Sequence, residues 1–101
     1  MILYNITSNV AHEVIDEWLS WLNNILIPEI MEVGVFNDFK FFQLLDIDET
    51  DGKTYTIQFF CDNEQACREF ISEAGPAFIR KSELMWGNSV YNFRSILKSV
   101  Q

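Results

Sequence analysis

The sequence predicts an α+β domain in which one antiparallel sheet of four strands carries both of its helices on a single face. Three observations predict it. Hydropathy alternates with a period of two in four segments and a helical period in two others, in the order strand, helix, strand, strand, helix, strand. The chain has 101 residues, enough for one compact domain over 1–101 and too few for two. Aromatic residues make up 15% of it, nine of them phenylalanine, more flat apolar surface than so small a core hides by itself.

Met1–Thr7 reads as the first strand, with Ile2, Tyr4 and Ile6 alternating against Leu3, Asn5 and Thr7. Neither set is strongly polar, so both faces are expected to be covered. Ser8 or Asn9 is the expected N-cap of a helix over Ala11–Glu32. Its apolar face joins Ile15, Leu19, Leu22, Leu26 and Ile30 to Val14, Trp18, Trp21 and Ile25, opposite Glu13, Glu17, Ser20 and Asn24. Pro28 withholds the amide that would bond the Asn24 carbonyl, so the helix is expected to bend there. Gly34 is placed to end it.

Val35–Asp46 is the second expected strand, and Asp51-Gly52 the positive-φ turn of a hairpin that returns along Thr54–Cys61. Asp62 and Gln65 have the spacing of a capping box for a helix that buries Cys67, Phe70, Ile71 and Ala74. Gly75-Pro76 divides it from a second, short helix containing Phe78 and Ile79. After a turn at Trp86-Gly87-Asn88, Val90–Ile96 completes the sheet. This is the ferredoxin-like βαββαβ order. The helices cover one sheet face, yet the other also carries apolar residues. A second copy of the sheet is the simplest cover, so a homodimer through the sheet face is expected.

The net charge of −8, from 15 acidic and 7 basic residues, repels a phosphate backbone and excludes nucleic acid as a general partner. No apolar run approaches a membrane span, and the N-terminus lacks the basic and small-residue flanks of a signal peptide. Cys61 and Cys67 have no companion pair for zinc and read as reduced, buried thiols, which places the protein in the cytoplasm. Asp46, Asp48, Glu49 and Asp51 lack calcium-loop spacing and read as a solvated turn, so no metal and no cofactor is expected. His12, the only histidine, falls at a helix start and reads as solvated; no catalytic residue is assigned.

The candidate ligand-binding residues are Tyr4, Trp18, Trp21, Tyr55, Gln58 and Arg94. Trp18 and Trp21 share the apolar face of the first helix, which packing alone explains and which a flat apolar or aromatic ligand would also use. Tyr4, Tyr55, Gln58 and Arg94, with Asn5 and Asn92, are strand positions able to aim polar groups inward. Arg94 requires an anion, from Asp38 at a sheet edge or dimer seam or from a ligand carboxylate.

The stretches YNIT, EWLSWL running into IPEIM, DGKTYTIQFF, AGPAF and FRSIL occur in one order along the chain. Together they resemble a small bacterial domain-of-unknown-function family, number 4286, over nearly the whole length. The resemblance implies a dimeric α/β barrel and no established activity. Its wider superfamily includes cofactor-free monooxygenases, haem-binding proteins and small isomerases. Several branches carry a histidine before Ile-Pro, where this chain has Leu26 ahead of Ile27-Pro28. The resemblance therefore implies a small-molecule-binding or structural domain. A cofactor-independent monooxygenase or isomerase acting on a small aromatic substrate is the first alternative, and a protein-interaction module using the sheet face the second.

Overall fold

The computed structural model of the chain describes residues 1–101. Four strands, β1 (Ile2–Ala11), β2 (Asp38–Gln43), β3 (Gly52–Cys61) and β4 (Val90–Lys98), form one antiparallel sheet in the order β2-β3-β1-β4. This is the ferredoxin-like α+β fold. The two central strands interlock with β1 register Tyr4 opposite Phe59 and Ile6 opposite Ile57, and Arg94 of β4 lies opposite Ile6. That register puts Ile2, Tyr4, Ile6, Ser8 and Val10 on the helix side with Tyr55, Ile57, Phe59 and Cys61. All nine are buried.

β1 is longer than its apolar alternation suggests, because its polar outward residues find partners across the sheet. Thr56 Oγ1 donates to Asn5 Oδ1 at 2.6 Å, and Asn9 Nδ2 donates to Thr54 Oγ1 at 3.1 Å. Ser8 and Asn9, expected as helix caps, are therefore strand residues. The helix starts three residues past Asn9, without a side-chain cap, as a short 3₁₀ turn at His12–Val14. β2 is shorter than expected at both ends, and Phe36 leaves it to pack into the core against Phe59, tilted, and Phe70, edge to face, at 5.3 and 4.9 Å between ring centres.

The first helix is continuous but not uniform: α1 (Ile15–Trp21), a π-helical turn at Leu22–Leu26, then α2 (Ile27–Glu32). Pro28 has no amide to offer the preceding turn, and the ladder widens just ahead of it, so that the Ile27 amide bonds back to the Leu22 carbonyl. The wider turn rotates the apolar face. Ile27 becomes buried, while Ile25, expected inside, is 39% exposed. Gly34 closes the helix at φ +89°, with its amide on the Met31 carbonyl.

The hairpin turn departs from expectation. Gly52 does not take positive φ; that falls on Asp46, at +60°. Gly52 is required by contact instead, since an added Cβ would sit about 2.3 Å from the Val10 carbonyl oxygen. Capping of α3 (Glu64–Glu73) also moves by one residue: Asn63, not Asp62, accepts the Ala66 amide at 3.0 Å through Oδ1. After the break at Ala74, α4 (Gly75–Trp86) runs for 12 residues rather than as a short helix, and Gly87 at φ +53° ends it. No helix is long and apolar enough to cross a membrane.

Candidate functional site

The helix layer and the sheet do not close completely. Between them lies a cavity of about 20 Å³, the room of one water molecule. Its floor is made by the inward side chains of β1, β3 and β4: Tyr4, Ile6, Ser8, Ile57, Asn92 and Arg94. One wall is the first helix, with Trp18 and Trp21 before the π turn, Leu22 and Leu26 within it and Ile30 beyond it. The opposite wall is Phe70 of α3 with Gly75, Phe78, Ile79 and Ser82 of α4.

Trp18 and Trp21 are 1% and 6% exposed, so both belong to the core while also lining the cavity. Trp18 packs on Tyr55 and Phe41, at 5.3 and 6.1 Å between ring centres. Trp21 meets Trp86 edge to face at 5.7 Å. The indole N–H groups of Trp21 and Trp86 are buried and have no acceptor in the protein. A buried donor left unpaired costs about 1–3 kcal/mol, so such groups are rare and call for a physical reason. Nothing in the sequence marked Trp86 for this role, since it looked like a turn residue. Its place as the last residue of α4 puts its ring against Trp21.

The polar groups of the floor divide in two. Ser8 Oγ donates to Asn92 Oδ1 at 2.6 Å, and Asn92 Nδ2 donates to Ser82 Oγ at 3.3 Å, a chain that ties β1 and β4 to α4. Tyr4 and Arg94 form the second group. Burial raises the Tyr4 phenol above its ordinary pKa of 10.0, while the neighbouring Arg94 guanidinium opposes the rise by charge and hydrogen bonding. Arg94 makes no ion pair. Asp38, its expected partner, sits on the outward side of β2 opposite Phe60 and accepts the Phe39 amide instead.

Of the six residues assigned from sequence, Tyr4, Trp18, Trp21 and Arg94 meet around the cavity. Tyr55 faces the same side but packs against Trp18 and Phe41 toward the β2 edge, outside the lining. Gln58 faces the other way, opposite Asn5 and Lys40 on the outward face. His12 is exposed and donates from Nε2 to the Glu49 carbonyl at 2.7 Å, which pins the β2–β3 loop. In that loop Thr50 bonds Asp48 through both its amide and its hydroxyl, and no group of three or more acidic, cysteine or histidine side chains is arranged to hold a metal ion.

The tyrosines give the fold an alkaline limit. Burial also raises Tyr55, aided by the charges of Glu49 and Asp16. The fold thus holds protons on Tyr4 and Tyr55 that the unfolded chain releases near the ordinary tyrosine pKa of 10.0. Their contribution is complete below that pH and is lost as pH rises through the folded values. Near-ultraviolet absorbance should show two of the three tyrosines ionising late, with the thermal midpoint falling over the same range. Tyr4→Phe should remove one late step; two unshifted steps would refute the burial.

Among solved structures the chain is similar to an ethyl tert-butyl ether d (ethd) family protein from Bacillus halodurans C-125, with TM-score 0.72, 12% identity, and coverage of 99% of this chain and 100% of that one. It is similar to SnoaB, a cofactor-independent oxygenase from Streptomyces nogalater, with TM-score 0.67, 12% identity, and coverage of 99% and 94%. It is also similar to a dimeric ferredoxin-like protein from an uncultured marine organism, with TM-score 0.67, 8% identity, and coverage of 100% and 96%. At these identities the likeness is one of fold alone. No curated protein matches the sequence. The model of the domain of unknown function DUF4286 matches residues 1–100, and the chain belongs to that family.

Proposed function

We propose that this protein is a small-molecule-binding domain, homodimeric through the outward sheet face, whose ligand is flat and aromatic and enters between helix and sheet. One observation carries the reading: an aromatic cavity lined by the Trp21 indole N–H, which has no acceptor in the protein, and by the Arg94 guanidinium, which no carboxylate of the chain pairs. In its closed form the cavity holds only a water. A ligand must therefore move α4, which begins at a helix break and is tied to α2 by the half-exposed Lys81–Glu29 pair. Such an exposed pair is a weak restraint.

Binding is favoured over catalysis by the lining itself. It contains no histidine and no carboxylate, and Leu26 lines it at the position where the resemblance implies a histidine in other branches. The oxygenase activity named for SnoaB would need proton transfer from elsewhere. A neutral arene tests the reading: benzamide should raise the thermal midpoint in a saturable way, and the absence of any rise with either millimolar benzamide or millimolar benzoate would refute it.

The dimer rests on the outward face. There Phe93, Tyr91 and Leu97 of the edge strand β4 are 75%, 67% and 44% exposed, and Phe42 of the opposite edge strand β2 is 47% exposed. A hydrogen-bonded strip of Asn5, Thr7 and Thr56 runs between these apolar margins. Light scattering at micromolar concentration should give twice the chain mass, and Phe93→Glu should give the monomer mass. A monomer before substitution would refute the dimer. Two buried, free thiols fit a cytoplasmic location.

A further inference from the structure

The geometry points to an anionic ligand: a planar aromatic carboxylate, its ring in the aromatic cavity and its oxygens on Arg94 and Trp21. The inference rests on the cavity reading above and goes beyond it by naming the charged group.

Of the four basic side chains without an acid partner, Lys40, Lys53, Arg80 and Arg94, only Arg94 lines the cavity. Arg68 and Lys98 pair with Glu64, and Lys81 pairs with Glu29. Arg94 is partly buried in the cavity floor, and no carboxylate of the chain reaches it. Nor can the outward face supply one through a second copy, because Arg94 pairs with Ile6 and shares its inward side.

The neighbouring groups fit the same occupant. Trp21 is 6% exposed and its N–H has no acceptor, so it offers a donor with nothing in the protein to receive it. The Tyr4 phenol, kept protonated by burial, is a neutral neighbour that leaves the Arg94 charge uncompensated. A carboxylate accepts from a guanidinium through two oxygens, and one of these can also accept from an indole N–H. The flat walls of Trp18, Phe70 and Phe78 suit an arene.

The test compares benzoate with its neutral isostere benzamide by calorimetric titration at neutral pH. Benzoate should bind at least tenfold more tightly to the unaltered protein. Arg94→Gln should abolish that preference while leaving benzamide affinity within about twofold, and Arg94→Lys should restore part of it. Equal affinities for benzoate and benzamide on the unaltered protein overturn the anionic assignment and leave the cavity reading standing. Binding of neither overturns both. A benzoate preference that survives Arg94→Gln also overturns the assignment, because the charge would then be read elsewhere. Because the benzoate–benzamide ratio is measured on the unaltered chain, the outcome does not depend on whether the Arg94 variants fold.

Discussion

Gly52→Ala is expected to destabilise the domain by roughly 3 kcal/mol, out of a total of about 5–15 kcal/mol for a chain of this size. The added methyl would lie about 2.3 Å from the Val10 carbonyl oxygen and 2.9 Å from its carbon. Both are backbone atoms of the neighbouring strand, so no side chain can swing aside. Gly52 pairs with Ala11 at the end of the β1–β3 ladder, and Val10 is fully buried. Relief therefore requires the strands to part where the core begins. Urea unfolding should show a lower midpoint with an unchanged slope. A loss below about 0.5 kcal/mol would mean that the strand end moves freely.

Trp18→Ala should cost about 4 kcal/mol, the upper range for an aromatic side chain removed from a core. Trp18 is 1% exposed and is held by Tyr55 and Phe41 on one side and the cavity on the other. The cost combines lost apolar burial with a void that the surrounding rings cannot refill. Trp18→Phe should cost clearly less, since it keeps a ring against Tyr55. If the alanine variant lost under about 1.5 kcal/mol, Trp18 would be a loosely held lining residue and not a joint part of core and cavity.

Strand and helix identity were readable from period alone, because burial on one side imposes alternation in β1 and β3 and a stripe in the first helix. Boundaries were less readable. Ser8 and Asn9 carry cap chemistry, but their side chains bond across the sheet to Asn92 and Thr54, a choice made by residues distant in sequence. Asp51-Gly52 has the composition of a tight turn, yet the glycine serves a close backbone approach that no local pattern announces. Ile25 obeys the helical stripe up to the π turn, whose extra residue then turns it outward.

The candidate site was legible in part for the same reason. Tyr4 and Arg94 have inward parity in their strands, as do Asn92 and Ser8. Parity also separates Tyr55 from Gln58, which alternate within β3 and face opposite sides of the sheet. The role of Trp86 depended on tertiary packing. Only the crossing of α4 with the first helix brings its ring to Trp21.

The central claim is that an aromatic ligand occupies the cavity beside Trp21. Its most direct test is the indole N–H resonance of Trp21 during titration with benzamide, assigned by Trp21→Phe. A saturable downfield shift is expected, because a carbonyl oxygen supplies the acceptor that this buried donor lacks. A Trp21 resonance unmoved at saturating benzamide, with shifts confined to surface residues, would contradict it.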